Sequence, residues 1–363
     1  MNSLMQIQNL FSFGKVQTDS LNFKLHSKLT LAMFLLAALI TSKGQFFSDP
    51  IHCADIPGVS SKVVENFCWI HPTYSVTNAM TGQVGKDFAY PGIAPGSVAD
   101  KRHVGYYQWV SLVLFLQAVM FAIPTLLWKG HSHKLIQTLI QNLNVQAPVS
   151  DPEQKSRELD RLAQYWADRR GTHGGLAFTY LACEALNLAN VVGQLYLTNT
   201  FLGDNSFMSF GYKVIENSMQ PPENRADPMN DVFPKMTKCD FWKYGKSGVI
   251  ETFDTLCILP VNVINEKVYI VIWFWLICLS TLTSMYMVYL LAVIFLPNYR
   301  VQTILSKVAV PVRLAWVEAA VLTAKLNPLR QLGDWLVLNM IMSNLDLWTN
   351  GEVIQRIESL NLE

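Results

Sequence analysis

Three long segments of this chain are almost free of charge, and their length constrains the fold more than any other feature. Residues 268–299 and 104–128 carry no charged side chain, and residues 171–203 carry only Glu184. A bilayer core about 30 Å thick requires about 20 apolar residues in a helix, so each segment is long enough to cross it. Charged residues make up 15% of the 363 residues, against about a quarter in soluble domains. We therefore predict a membrane protein with helical spans.

A fourth span is predicted near the amino terminus. Residues 29–42 carry no charge, and Lys43 follows before Phe46 and Phe47. A lysine near a helix end can extend its ammonium group to the lipid headgroups. The alternative is a cleaved signal peptide, but the apolar run starts after 28 residues and no small-residue cleavage site follows it. We predict a retained span.

The distribution of Lys and Arg predicts the orientation of the spans. Residues 1–28 hold three basic and one acidic side chain, residues 129–170 hold seven and five, and residues 297–330 hold five and one. The loop 43–103 is balanced at five and five, and the loop 204–267 holds seven basic and nine acidic residues. Both termini and the middle connection are therefore predicted to be cytoplasmic, with the other two loops outside the cell.

The predicted fold is an all-α membrane protein, a four-transmembrane-helix bundle with two disulfide-stapled extracellular loops and a cytoplasmic helical dome. The apolar stretch 308–326 contains three charged residues and residues 335–345 are too short to cross, so both are assigned to the dome. The predicted boundaries are 1–28 for a cytoplasmic N-terminal segment that could form a pore helix, 29–47 for the first span, 48–103 for the first extracellular loop, 104–128 for the second span, 129–175 for the cytoplasmic loop, 176–202 for the third span, 203–267 for the second extracellular loop, 268–296 for the fourth span and 297–363 for the cytoplasmic C-terminal region.

Four of the six cysteines lie in the two predicted exterior loops, two in each. Exterior thiols are usually oxidised, and four cysteines allow three pairings that sequence alone does not separate. Cys53 and Cys257 lie close to span ends, whereas Cys68 and Cys239 lie farther out along their loops. This placement favours a nested pattern, with Cys53 joined to Cys257 and Cys68 to Cys239, which would hold the loops side by side.

Two residues inside the spans have a structural and a functional interpretation. Pro124 removes a backbone hydrogen bond and bends a helix, and a fixed packing kink is favoured over a moving hinge. Glu184 is an intramembrane carboxylate, which is costly and therefore a functional candidate, but it could equally be paired or protonated within the bundle near Asn187.

Motifs for catalysis are absent from the sequence. It contains no HExxH, GxSxG, CxxC or glycine-rich phosphate loop, and His131 with His133 is an incomplete ligand set typical of a surface pair. The net charge of +1 gives no indication of nucleic acid binding. We predict a protein that is not an enzyme and that needs no cofactor or metal.

Several motifs are characteristic of one family. Residues 106–110, Tyr-Tyr-Gln-Trp-Val, are similar to the signature that opens the second span of the innexins, the invertebrate gap-junction proteins. The resemblance covers nearly the whole chain and is strongest to insect members. Two cysteines per exterior loop distinguish this pattern from connexins, which have three. Further innexin-like motifs are Asp-Pro-Ile-His-Cys at 49–53, Phe-Cys-Trp-Ile-His at 67–71, Phe-Pro-Lys-Met-Thr-Lys-Cys at 233–239, Leu-Cys-Ile-Leu-Pro-Val-Asn at 256–262, Asn-Glu-Lys at 265–267 and Trp-Phe-Trp at 273–275.

The resemblance implies a gap-junction channel or hemichannel in the plasma membrane that passes ions and small metabolites by diffusion. It implies a homomeric or heteromeric ring, typically of eight subunits, embedded in membrane lipids and docked to a second ring on the adjacent cell. The four exterior cysteines would hold the docking loops, and the motif Tyr106, Tyr107, Gln108 and Trp109 would anchor the second span at the membrane interface. The pore-lining candidates are Met1, Asn2, Ser3, Leu4 and Met5.

Three features depart from the family pattern. Leu290 stands where innexins commonly have a basic residue, the tail after Trp335 is short, and the N-terminal segment is atypical. These departures bear on gating and tail regulation, and they would also suit a virus-encoded relative of the insect proteins. Two alternative functions are an undocked hemichannel that releases small molecules and a four-span adhesion scaffold without a pore. The Cys-Cys-Gly element of tetraspanin scaffolds is missing from this chain.

Overall fold

Helices account for most of the computed structural model. The structure describes residues 16–80, 86, 88–94, 101–140, 143, 152–203, 207–220, 227–309 and 328–361. In these ranges the helices are α1 (Leu21–Phe46), α2 (Ser61–Ile70), α3 (Val110–Ile140), α4 (Pro152–Arg169), α5 (Gly174–Phe201), α6 (Phe207–Ser218), α7 (Met229–Val232), α8 (Pro260–Phe295), α9 (Pro297–Leu305), α10 (Pro328–Met342) and α11 (Leu347–Asn361). The strands are β1 (His52–Cys53), β2 (Thr73–Val76), β3 (Lys101–Val104), β4 (Met236–Tyr244) and β5 (Ile250–Ile258).

Four of these helices, α1, α3, α5 and α8, are long and apolar enough to cross a membrane. Their apolar side chains are more stable in lipid than in water. A helix also forms its backbone hydrogen bonds within itself, as the water-free core of the bilayer requires. The prediction of a four-span helical membrane protein is confirmed. The helices also extend past the charge-free runs, because α3 continues through Lys129 and Lys134, and α8 begins at Pro260, eight residues before the run that starts at Val268.

The first span begins earlier than its hydropathy indicates. Ser20 caps the helix by accepting a hydrogen bond from the backbone N–H of Phe23 at 3.2 Å. Residues Leu25–Thr30 form a π-helical segment within the helix, and His26, Ser27 and Thr30 in that segment are buried. Irregular π turns inside membrane helices need local polar partners, and this segment has them.

The chain divides into two compact units, and the first contains both ends of the chain. It consists of residues 1–31, 121–190 and 279–363, of which the described parts share one hydrophobic core. Trp128, Trp166 and Trp335 are buried in that core together with Leu290, whose apolar side chain is 1% exposed. Burial explains why a leucine is stable at position 290. The predicted dome segment 308–326 lies outside the described residues, apart from Val308 and Ala309.

The second unit consists of residues 32–120 and 191–278 and contains a five-stranded sheet. Its strand order is β1-β5-β4-β2-β3, so the two strands of the second predicted exterior loop lie between strands of the first, and each observed pair is antiparallel. Strands β4 and β5 form a hairpin whose turn contains Gly248 at a φ of +76°, a left-handed conformation that favours glycine. The sequence-based prediction did not include this sheet.

Candidate functional site

Both disulfides in the structure join one predicted exterior loop to the other. Cys53 of β1 is bonded to Cys257 of β5, and Cys68 of α2 is bonded to Cys239 of β4, with Cα–Cα distances of 4.0 and 5.9 Å. Of the three possible disulfide pairings, the structure therefore has the nested one. Three of these sulfurs lie within 4.8 Å of one another, but all are bonded to another sulfur and so provide no thiolate for a metal.

A cluster of charged groups adds a second connection between the loops. The Tyr74 hydroxyl donates to Asp240 at 3.1 Å and to Asp254 at 3.4 Å, and Lys101 and Lys238 form ion pairs with these two carboxylates. Burial, together with the charges of Asp254 and Asp240, raises the pKa of Tyr74, so the hydroxyl stays protonated and donates. The cluster joins β2 and β3 of the first loop to β4 and β5 of the second.

The end of the β4–β5 hairpin presents apolar side chains to solvent. Tyr244 is 77% exposed, Val249 is 65% exposed and Ile250 is 60% exposed, and Trp242 is about half exposed. We call these four residues the hairpin tip. Backbone hydrogen bonds from Gly245 to Val249 and from Gly248 to Gly245 fix the turn. A rigid, exposed and partly aromatic surface is characteristic of a protein interaction site.

The structure divides the Tyr-Tyr-Gln-Trp motif between two roles. Tyr106 donates to the carbonyl of Val232 at 2.9 Å, and Tyr107 is fully buried against Trp69. Gln108 donates to the carbonyl of Trp69, and only Trp109 is largely exposed. The first three residues therefore hold the loops to the start of α3, and Trp109 has the exposure that an interfacial anchor needs. Burial raises the pKa of Tyr106 and Tyr107, which keeps both phenols neutral.

Glu184 is fully buried in α5 and is surrounded by neutral hydrogen-bond donors. Its carboxylate accepts from Asn22 at 2.6 Å, from Ser20 at 2.9 Å and from Asn187 at 3.3 Å. Asn22 in turn accepts from Thr283 of α8 at 3.1 Å, and Thr283 lies 2.8 Å from the Nε2 atom of His26. Asn187, the partner that the sequence suggested, is one of three hydrogen-bond partners of Glu184. A functional role for this carboxylate stays a prediction. The network connects three of the four spans.

The chain leading into α1 is held by further contacts. Trp128 donates its indole N–H to the carbonyl of Thr18 at 3.1 Å, and Lys129 pairs with Asp19 at 3.2 Å. Asn344 forms two hydrogen bonds with the backbone of Gln17, at 2.6 and 2.8 Å. The five pore-lining candidates, Met1 to Met5, lie outside the described residues. Residues 17–22 contact α3, α5, α8 and Asn344.

Pro124 lies inside α3, which continues on both sides of it from Val110 to Ile140. The proline has no N–H and so cannot donate the backbone hydrogen bond that other residues inside a helix make. The choice between a packing kink and a hinge stays a prediction.

Comparison with known proteins identifies the family. The family model for Innexin matches residues 19–359. The chain is 38% identical over 351 residues to innexin shaking-B of Drosophila melanogaster, covering 96% of this chain and 92% of that protein. It is 38% identical over 343 residues to innexin inx2 of Schistocerca americana, covering 94% and 92%. It is 30% identical over 355 residues to innexin inx4 of Anopheles gambiae, covering 97% and 89%.

This chain belongs to the innexin family.

The predicted family resemblance is thereby confirmed. Innexins form gap-junction channels and are not enzymes, so this innexin is a multi-pass protein of the plasma membrane in that class. The two disulfides and the four apolar helices agree with the four-span fold of the family.

Sequence reasoning missed several residues of this innexin that the structure brings together. Asn22 and Thr283 connect Glu184 to α1 and α8, and Asn344 holds the backbone before α1. The sequence did indicate Thr283, because it is a polar residue inside a span and such residues usually have a hydrogen-bond partner. No comparable signal pointed to Asn22, because the apolar run begins seven residues after it.

Proposed function

We propose that this innexin assembles as a ring of eight subunits around an aqueous pore, with both termini in the cytosol and the two disulfide-bonded loops outside. Two rings on adjoining cells dock through these loops, and ions and small metabolites diffuse between the two cytoplasms. The observation that carries this proposal is the sheet built from both loops, with its nested disulfides and exposed hairpin tip. Such a sheet is rigid enough to present the same surface in every subunit of a ring.

Docking by the hairpin tip has a physical rationale. Tyr and Trp are enriched in protein interfaces because they bury a large area with little loss of side-chain entropy. The tip also lies at the end of a long hairpin, in which nine pairs of residues face one another from Met236 opposite Ile258 to Tyr244 opposite Ile250. A symmetric ring would repeat this patch, so even weak contacts between single tips would add to a stable junction.

The pore is assigned to the N-terminal segment and the first span. Met1 to Met5 are the proposed lining residues, and the contacts of residues 17–22 with α3, α5, α8 and Asn344 support a fixed attachment for this segment. The subunits of a ring are either all copies of this chain or a mixture with other innexins.

The decisive experiment measures coupling between paired cells that express this chain. Wild-type pairs are expected to transfer current and a small dye. Replacing Cys68 or Cys239 by Ser should abolish the transfer, because the loop sheet loses a bridge between its two halves. Normal coupling after either change would contradict the docking role.

Variants of the hairpin tip separate docking from channel formation. Tyr244→Asp and Ile250→Asp place charges on the tip without touching a disulfide, so junctional current should be lost while current in unpaired cells persists. Surface labelling with a membrane-impermeant reagent controls for delivery to the plasma membrane.

The two alternative functions have their own tests. Current in unpaired wild-type cells without any coupling between paired cells would favour the hemichannel. Purified wild-type rings without an axial hole would favour the scaffold.

The orientation has its own test. An epitope placed at either end of the chain should be labelled only after the cells are permeabilised. Labelling of intact cells would overturn the topology and with it the docking proposal.

A further inference from the structure

Helix α6, which follows the third span, has three distinct faces. The first packs on the protein and contains Phe207, Phe210 and Gly211, all buried. The second is a stripe of exposed apolar side chains spaced by four, three and four residues, which places them on one side of a helix. We call it the α6 stripe. Its members are Met208, Tyr212 and Ile215, together with Met219, which follows the helix directly and still donates its backbone N–H to the carbonyl of Ile215 at 3.3 Å; the four are between 39% and 79% exposed.

The third face of α6 is polar. Its residues are Ser209, Lys213 and Glu216, which follow one another at four- and three-residue spacing on the side that is neither buried nor apolar. A helix in water exposes a polar face and buries an apolar one. A helix with one face on protein, one apolar face exposed and one polar face exposed fits a boundary between lipid and water.

Contacts with two spans hold α6 beside the membrane. The side chain of Asn199, near the end of α5, accepts a hydrogen bond from the backbone N–H of Met208 at 3.1 Å. A methyl group on Gly211 would overlap the indole ring of Trp273 in α8, so only glycine permits this close approach. Phe207 also packs edge-on against Tyr269 of α8, with ring centroids 5.9 Å apart.

The position of Trp273 along α8 gives the depth of this contact. It lies six residues past Lys267, the last charged residue before the charge-free run of α8, which is about 9 Å at 1.5 Å per residue. Interfacial helices bury their apolar face about 5 to 10 Å into the boundary between headgroups and acyl chains. Exposed aromatic residues at the same ends of the spans, Tyr196 of α5 and Phe274 of α8, are typical of that level.

We propose that α6 lies in the headgroup region of the lipid bilayer with the α6 stripe inserted into the acyl boundary. The second predicted exterior loop would then begin with a membrane-bound helix. Lipid is favoured over a neighbouring subunit because α6 contacts α8 at Trp273, next to the exposed Phe274, and because the exposed Lys213 and Glu216 lie beside the stripe, where they can reach water. The proposal rests on the four-span fold of this innexin, so it stands or falls independently of channel activity.

Spin labelling of the full chain tests this placement. Single cysteines are introduced at Met208, Tyr212 or Met219 in a Cys278→Ala background, because Cys278 is exposed and is not part of a disulfide. The protein is reconstituted into vesicles of phosphatidylcholine and phosphatidylglycerol, and collision with oxygen and with a water-soluble nickel complex is measured. Lys213→Cys and Glu216→Cys on the same helix are the matched controls.

The collision rates distinguish three environments for the α6 stripe: lipid, water and a neighbouring subunit. The stripe positions are expected to collide readily with oxygen and rarely with nickel, so that their oxygen-to-nickel ratio exceeds that of the controls several-fold. High nickel collision at the stripe would show a water-exposed helix and overturn the proposal. Low collision with both reagents would show a face covered by a neighbouring subunit and would also overturn it.

Discussion

At the scale of single residues, Glu184 shows how a carboxylate is accommodated inside a span. Burial of a charged or polar group without a partner costs several kcal/mol, and three donors from Ser20, Asn22 and Asn187 offset that cost. Sequence identified Glu184 because carboxylates are rare in spans, and it identified Asn187 because that residue is one helical turn away. The partners on α1 are more than 160 residues away in the chain, so no local pattern could indicate them.

The Glu184 network predicts a difference between two substitutions. Glu184→Leu leaves the Asn22 amide without an acceptor, and each buried donor left unsatisfied costs about 1 to 3 kcal/mol. We expect a clear decrease in the melting temperature of the purified protein. Glu184→Gln should be close to wild type, because its carbonyl can accept from Asn22 and its amide can donate to Ser20.

A double variant tests whether the side chains of Asn22 and Glu184 interact with each other. Replacing both partners, as Asn22→Leu with Glu184→Leu, removes the unsatisfied donor and should restore part of the stability lost in Glu184→Leu alone. Equal stability of Glu184→Leu and the wild type would contradict the network as a stabilising element.

At the scale of elements, the spans were predictable and the sheet was not. An apolar run of about 20 residues determines a span by composition alone, whereas β1 has two residues and pairs with a strand about 200 residues later. Strand β4 shows no simple alternation of apolar and polar residues that would have indicated a half-buried strand. The cysteine placement gave the pairing of the loops, but the hydrogen-bonded register between them depends on contacts that are distant in sequence.

Peptide mapping under non-reducing conditions tests the register of the loop sheet. Digestion should release one linked pair of peptides containing Cys53 and Cys257, and a second containing Cys68 and Cys239. Both pairs should disappear after reduction. Recovery of a peptide that joins Cys53 to Cys68 would contradict the nested arrangement and the β1–β5 pairing that depends on it.

Helix α11 depends on a cap that titrates. The Asp346 carboxylate accepts from the backbone N–H groups of Trp348 and Thr349 at 3.1 and 3.0 Å. Partial burial alone would raise the pKa of Asp346, but the hydrogen bonds from Thr349 outweigh it and lower the pKa below 3.8. The cap therefore stabilises α11 at every pH above about 4, and the stabilisation is lost as the pH falls through the lowered pKa.

Substitution of this cap is expected to destabilise α11 selectively. Asp346→Ala should cost about 1 kcal/mol, seen as faster amide hydrogen exchange in residues 347–361 at neutral pH. Asp346→Asn is the matched control, because its side-chain oxygen can still cap the helix, and it should exchange more slowly than the alanine variant. Unchanged exchange in Asp346→Ala would show that packing of Val353, Ile354 and Ile357 alone determines the stability of α11.

At the scale of the whole molecule, the two units are stabilised by different means. The first has a large hydrophobic core, and both disulfides of the described chain lie in the second. The cores of the second unit's loops are smaller and include Cys68, Cys239 and Cys257 themselves. Long loops with a small core need crosslinks for stability, so we expect the second unit to depend on its disulfides far more than the first does.

Nesting makes the cost of losing one disulfide calculable. With Cys68–Cys239 intact, the bridge from Cys53 to Cys257 closes a ring of about 35 residues, formed by the segments 53–68 and 239–257, and such a ring contributes about 4 kcal/mol by loop-closure entropy. Replacing both Cys53 and Cys257 by Ser should therefore accelerate amide hydrogen exchange in β4 and β5. Peptides from α10 and α11, which belong to the other unit, serve as the internal control and should exchange as in the wild type. Equal acceleration in both units would mean that they unfold as one cooperative structure, and the independent stability inferred for the first unit would then be wrong.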